Sequence, residues 1–156
     1  MGPSAIPTEG VFRTRLRTRF AETDLQGVVH HSVYFVYFEQ ARVEYFKALG
    51  FDFRQARRAG DFDITVAEAR CKYLAPAAFD DELEIAVWTS QVRRASFTID
   101  YYICRGDTPI AYGQTVQAAI DPRTGRPRSL PETMRRVLAA QCQAKPAFMY
   151  NISSGG

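Results

Sequence analysis

The chain is poor in cysteine. Cys71, Cys104 and Cys142 are the only three in 156 residues, and they lie far apart. No CxxC or Cys/His spacing links them, which argues against a zinc site and against a disulfide framework. Each thiol reads as a small buried or half-exposed side chain. Histidine is scarcer still: His30 and His31 are adjacent, and neither belongs to a spaced His/Asp/Glu set that would hold a metal. No cofactor is implied. The sequence has no apolar run long enough to cross a bilayer and no signal-peptide core, so a reduced cytoplasm is the expected setting. Net charge is small as well, with 20 Lys and Arg against 17 Asp and Glu. That balance suits a phosphorylated small molecule and gives no argument for nucleic acid or a membrane span.

Apolar and aromatic residues are present in quantity, at 46% and 13%. Together with the length they predict one domain with a real core, of a size that gains from oligomerising. The domain is expected over residues 11–141. The ends, 1–10 and 142–156, are small and polar and are expected to fray.

The hydrophobic period then changes along the chain. "VFRTRLRTRF" alternates strictly, with Phe12, Thr14, Leu16, Thr18 and Phe20 on one face and Arg13, Arg15, Arg17 and Arg19 on the other. This is a half-buried strand with a solvated outer face that resists edge pairing. The arginine stripe lacks the aromatic motif of an RNA-binding surface. A helix is predicted over roughly Ser32–Leu49, where Tyr34, Phe38, Ala41, Tyr45 and Leu49 recur at helical spacing. Phe35, Val36, Val43 and Phe46 make its other faces apolar, so it is expected to be buried on several sides. Ser32 can cap its start and Gly50 can end it.

From Phe62 onward the pattern is β. "DITVAEARCKYL", "ELEIAVWTSQV", "SFTIDYYICR" and "PIAYGQTVQAAID" read as strands, and their short connections favour an antiparallel meander. "DPRTGRP" is a turn, and "LPETMRRVLAAQCQ" a short amphipathic helix with Met134, Val137 and Leu138 on its apolar side. Strands gathered after one long helix give an α+β fold, with the sheet curling around the helix.

The segment before the helix carries the chemistry. Unpaired amides at a helix start stabilise negative charge. A carbonyl develops such charge when attacked, and donors aimed at its oxygen are often the largest catalytic contribution. Asp24 precedes the helix by one turn-forming loop, and its carboxylate can activate water or attack carbon directly. Gly27 lets the backbone come close to a ligand. A purely structural reading makes Asp24 a charge that steadies the helix start and leaves His30 as packing or surface.

"ETDLQGVVHHSVYFVYFEQAR" resembles the signature of hot-dog-fold acyl-CoA thioesterases of the 4-hydroxybenzoyl-CoA thioesterase type, with Asp24, Gly27, Tyr34, Phe38, Glu39, Ala41 and Arg42 in register. "EARCKYLAPAAFDDELEI", "VRRASFTIDYYI" and "DPRTGRPRSLPETM" resemble its later blocks, so the likeness runs from about Phe12 to Leu138. One departure is Val33, where the family has Asn.

The resemblance implies that Asp24 is the catalytic carboxylate, as nucleophile or general base. It implies that the His31 N–H polarises the carbonyl. Tyr34 and Phe38 are expected to line the acyl pocket, and Arg93, Arg94, Ser96, Arg126 and Arg128 to border the CoA phosphates. Glu39 is either a second acid or the ion-pair partner of Arg42 on the same helix face. The expected substrate is an acyl-CoA. An acyl carrier protein could take its place, received by Arg57-Arg58 or Arg135-Arg136. The same residues also admit a hot-dog dehydratase using His31 and Glu39, or a non-catalytic acyl-CoA binder. Homodimers or homotetramers, with sites at the subunit boundary, are implied by the resemblance.

Overall fold

The computed structural model of the protein describes residues 10–142, so the expectations for the two ends lie outside the described residues. The element order is β1 (Phe12–Arg17), α1 (Val33–Ala48), α2 (Phe53–Ala59), β2 (Asp63–Tyr73), β3 (Glu82–Val92), β4 (Ser96–Arg105), β5 (Thr108–Ile120) and α3 (Glu132–Ala140). Five strands form one antiparallel sheet in the order β1-β3-β4-β5-β2. The expected α+β architecture is present: a sheet, one long central helix and a short C-terminal helix.

The meander expected from the short connections holds only for β3, β4 and β5. Although β2 and β3 are consecutive, they do not pair. The segment between them must cross three strand spacings, about 14 Å at 4.8 Å each. Residues 74–81 make this crossing along one end of the sheet, and the loop before α1 is tied onto them. Val29 N–H donates to Ala77 O (2.8 Å), Val28 bridges Ala78, and the buried Thr18 hydroxyl donates to Ala78 O (2.6 Å). A sequence pattern that marks "APAAFDD" as a simple connection does not show this tie.

The arginine face of β1 is exposed, as expected, and is also paired. Arg13 meets Glu84 at 2.8 Å, Arg15 meets Glu82 and Glu84, and Arg17 meets Glu82 at 3.2 Å. The strand ends at Arg17, so Phe20 does not join its inner face. Phe20 enters a single 3-10 turn (Phe20–Glu22) and is 75% exposed.

Helix α1 lies against the inner face of the sheet. Tyr34, Phe38, Ala41 and Tyr45 are buried there, while Phe35, Val36 and Val43 remain exposed. Its end is a Schellman motif. Gly50 takes φ +83°, its N–H reaches Lys47 O, and Phe51 N–H reaches Phe46 O, each at 3.0 Å. The rings of Phe46 and Phe51 close the motif at 6.2 Å between centroids. The start differs from expectation, because Ser32 makes no side-chain cap bond to the helix.

The Phe38 side chain of the helix lies directly over Gly113 of β5. A Cβ built there would stand 2.2 Å from the Phe38 ring, which stacks on Tyr101 at 4.6 Å. Any side chain at 113 must push the helix away or force the ring from its place. Gly113→Ala is expected to destabilise the fold by about 1–3 kcal/mol. Urea denaturation measures this, and an unchanged midpoint would show that the ring has room to yield.

Candidate active site

The loop from Thr23 to Val29 is a tight hairpin. Thr23 bridges Val29, Asp24 N–H donates to Val28 O (2.9 Å), and Gly27 N–H returns to Asp24 O (3.0 Å). Gly27 has φ +77°. This is a three-residue connection whose last position is left-handed, the place where glycine carries no penalty. The Gly27 amide is used inside the turn, so glycine here shapes the loop. The Asp24 carboxylate takes part as well, with Oδ1 accepting the Gln26 N–H at 2.8 Å. Its Oδ2 has no hydrogen-bond partner among the described residues.

After the hairpin, most of the polar backbone groups between His30 and Val33 are engaged. His30 N–H donates to Glu22 O (2.9 Å), and His30 O accepts from Val33 N–H (2.9 Å). His30 Nδ1 accepts the Ser32 N–H (3.1 Å) and contacts the Ser32 hydroxyl (2.7 Å). The His30 imidazole therefore does the tethering that the sequence suggested for the Ser32 hydroxyl. His31 O accepts the Tyr73 hydroxyl at 2.6 Å. The His31 N–H alone has no acceptor among the described residues.

A groove of about 400 Å³ runs past this loop, and Asp24, Val28, His31, Tyr34, Tyr73 and Pro76 are among the residues that line it. The structure thus brings Asp24, His31 and Tyr34 together. Tyr34 is buried, and its ring meets Tyr73 edge-on at 5.2 Å. Phe38, by contrast, is fully buried in the core over Gly113 and does not line this groove. A larger cavity, about 610 Å³, lies at the far end of α1 between Val43, Phe51 and Arg54, and none of the candidate residues lines it.

Glu22 holds the loop from behind. Its buried carboxylate accepts from Arg19 N–H (2.7 Å), Arg19 Nη2 (3.0 Å) and the hydroxyl of Tyr37 on α1 (2.8 Å). Burial pushes the Glu22 carboxyl up, but the Arg19 amide, the Tyr37 hydroxyl and the Arg19 guanidinium outweigh it and hold it below its ordinary value. Burial and the Glu22 hydrogen bond push the Tyr37 phenol far up, so it stays a donor. At the end of the crossing segment, the Asp81 carboxylate accepts from Ala78 N–H and Arg105, at 2.8 and 2.9 Å, which lowers its pKa.

The remaining expected site residues lie elsewhere. Arg93, Arg94, Ser96, Arg126 and Arg128 gather around the β3–β4 turn and the segment after β5. Arg93 N–H donates to Ser96 O, Arg94 to the Ser129 hydroxyl, and Arg128 N–H to Ala119 O. This is the far end of β3 from Asp24. The ten residue steps from Glu82 to Val92 put about 33 Å between the two ends at 3.3 Å per step. Within one chain these arginines and Asp24 therefore stand toward opposite ends of the strand. Glu39 and Arg42 do not pair with each other: Glu39 is exposed, and Arg42 donates to the Tyr101 hydroxyl at 3.0 Å. Of the cations proposed for a carrier protein, Arg57 pairs with Asp63, and Arg135 and Arg136 both pair with Glu132.

Sequence reasoning missed Tyr73, Pro76 and Glu22. Tyr73 and Pro76 reach the groove through the pairing of β2 with β5 and the crossing segment, which are contacts between residues distant in sequence. Glu22 had a local signal: an acid three residues after Arg19 at the entry to a turn.

The matched family is the thioesterase superfamily, over residues 26–112, and the chain belongs to it, with the hot-dog fold of these thioester hydrolases. The acyl-CoA thioester hydrolase YbgC of Escherichia coli is 30% identical over 125 residues, covering 80% of this chain and 92% of that protein. The 1,4-dihydroxy-2-naphthoyl-CoA hydrolase of Synechococcus elongatus is 27% identical, covering 75% and 87%. A crystal structure of a protein from Aquifex aeolicus superposes with a TM-score of 0.75 at 35% identity, covering 81% of this chain and 98% of that one.

The Glu22 anchor has a defined pH dependence. Its folded pKa is lowered, so its contribution to stability is fully present above the ordinary value of 4.5 and is lost as pH falls through the folded value. Glu22→Gln is expected to flatten the acid limb of stability relative to the parent protein, as measured by thermal melts across pH. Glu22→Ala, which strands Tyr37 and Arg19, is expected to cost about 1–3 kcal/mol at neutral pH.

Proposed function

We propose that the protein hydrolyses an acyl-CoA thioester to the free acid and CoA, with Asp24 as the carboxylate that acts at the carbonyl carbon. The observation that carries this reading is the pairing pattern of the loop: among the described residues the His31 N–H and Asp24 Oδ2 have no partner, and both residues line one groove. An unpaired amide donor and an unpaired carboxylate oxygen are the two groups that thioester hydrolysis needs. The relatives named for acyl-CoA hydrolysis support the substrate class.

In this reading the thioester oxygen accepts the His31 N–H, and the amide stabilises the negative charge as the carbonyl carbon becomes tetrahedral. Asp24 Oδ2 either removes a proton from the attacking water or attacks carbon itself, giving an anhydride that water then opens. Collapse of the tetrahedral species breaks the C–S bond. The thiolate leaves with the electron pair and takes up the proton released by water. Because a thiolate is a good leaving group, little acid assistance is needed. No metal or cofactor enters these steps.

The separated arginines fit the same reading if two chains share a site. β2 is an edge strand whose residues from Thr65 to Arg70 are all exposed. Its Tyr73 end lies at the groove, and its Asp63 end lies beside Ile120, near the arginine cluster. Antiparallel pairing of β2 with its copy reverses the ends, so that each groove faces the arginine cluster of the other chain. The adenosine phosphates of CoA would then meet Arg93, Arg94, Arg126 and Arg128 of the second copy, as forked donors that suit phosphate.

Asp24→Asn is expected to lower kcat by roughly 10²- to 10⁴-fold on a panel of acyl-CoAs, followed by free-thiol release. Full activity in that variant would defeat the mechanism. Light scattering is expected to show an even-numbered oligomer. Arg94→Ala and Arg128→Ala are each expected to raise KM for acyl-CoA about fivefold, a cost near 1 kcal/mol, with kcat unchanged. The same variants should leave turnover of a truncated acyl-pantetheine thioester unaffected.

A further inference from the structure

The pinning of the His31 backbone depends on a residue outside the loop, one with no role yet in the proposed reaction. The His31 carbonyl precedes α1 and lies outside its hydrogen-bond ladder. The first helical turn closes instead from Phe35 N–H to Ser32 O at 3.3 Å. The donor to His31 O is the Tyr73 hydroxyl, at 2.6 Å from the end of β2. The ring of Tyr73 is held separately, edge-on to Tyr34 at 5.2 Å and edge-on to His31 at 6.5 Å. Tyr73 itself lines the groove and is 46% exposed.

A peptide group with both neighbours fixed has little freedom to rotate. On the N-terminal side of His31, His30 O is held by Val33 N–H. On the C-terminal side, His31 O is held by Tyr73, and the Ser32 N–H is held by His30 Nδ1. The His31 N–H lies in the plane it shares with His30 O, and the Tyr73 bond holds the next plane; without it the His31 Cα, where the two planes join, is restrained on that side by the Ser32 N–H bond alone. The hydroxyl thus steadies the joint that carries an amide it does not touch.

We infer that Tyr73 is a positioning residue for the reaction: its hydroxyl fixes the His31 backbone so that the His31 N–H faces the thioester oxygen. This inference rests on the reading of Asp24 and His31 given above. It gives Tyr73 no part in proton transfer. Burial, the neighbouring Cys71 thiol and Tyr34 push the phenol up to about 12, so it remains a donor throughout the neutral range. The arrangement also links the site to the edge of the sheet. Tyr73 is the last residue of β2, and whatever sets the position of that strand sets the His31 amide.

Tyr73→Phe deletes one hydroxyl and keeps the ring contacts. Steady-state kinetics on an acyl-CoA turned over by the parent protein are expected to show kcat reduced about tenfold or more, with KM changed less than twofold. The melting temperature should stay within a few degrees, and the pH profile of kcat should keep its shape. Unchanged kcat would overturn the inference. So would a loss of activity that tracks a loss of folded protein, or a displaced alkaline limb, which would make Tyr73 an acid and not a positioner. Asp24→Asn, run in parallel, separates the two readings. If it retains full activity, the proposed mechanism fails. If it is inactive while Tyr73→Phe matches the parent, only the role of Tyr73 fails. Should Tyr73→Phe fold poorly, Tyr73→His, which keeps a ring and a donor, is expected to recover kcat above Tyr73→Leu, and equal rates for the two would refute the role.

Discussion

The close approach of α1 to the sheet is the constraint on which the remainder depends. Phe38 rests directly on the backbone of Gly113 and stacks on Tyr101, so this ring sets how deep the helix can sit over β4 and β5. The buried residues of the sheet, Leu83, Ile85, Ile99, Ile103 and Ile110, gather beneath the helix. With the helix fixed in depth, its first turn is delivered to one end of the sheet, where residues 74–81 pass. The loop before the helix can then zip onto that crossing segment through Val28 and Val29. Fold and site share this one dependence: the groove exists because the helix start and the crossing segment are held at the same end.

The loop shows how a protein leaves a polar group unpaired without leaving it loose. Backbone amides near a core are normally satisfied. Around His31 nearly all are, by Glu22, Val33, the His30 ring and Tyr73, with the His31 N–H as the exception among the described residues. An unpaired donor surrounded by paired ones keeps its direction and does not collapse onto a local acceptor. Such an amide is pre-oriented, which is the condition for it to stabilise developing charge without reorganisation. The buried carboxylate of Glu22 performs the corresponding task behind the loop, linking the turn after β1 to Tyr37 on the helix.

Much of this was legible in the sequence, and the limit has a physical cause. The two-residue period of "VFRTRLRTRF" and the helical spacing from Tyr34 to Leu49 are local properties. They gave strand and helix to within a few residues, as Gly50 gave the helix end. The four later strands were marked in the same way. The placement of β2 beyond β5 was not legible, because strand order depends on contacts between distant segments and not on period. The same holds for the site. Asp24, His31 and Tyr34 stand close along the chain and were found together. Tyr73 comes to them only by way of the sheet. Phe38 has the helical spacing of Tyr34, yet it faces Gly113, and no pattern within the helix distinguishes a core ring from a groove ring. Helix α2 escaped notice: at seven residues it is too short to show a period, although Asp52 caps it and Gly60 ends it.

The two edges of the sheet are chemically unlike. β1 presents Arg13, Arg15 and Arg17, each engaged with a carboxylate of β3 or of the turn before it. β2 has no such ion-pair ladder to its neighbour β5, whose residues are all uncharged. If chains join through β2, the contact is isologous and consumes both of the receptive edges. The joined sheet would then end on either side in a β1 whose charges are already balanced against its own neighbour. Growth by edge addition would have no further place to start, so the arginine stripe, read from the sequence as a face that resists edge pairing, would act as a terminator. In such an assembly it would confine growth to a closed particle and keep a sheet with one open edge from becoming the beginning of a fibre.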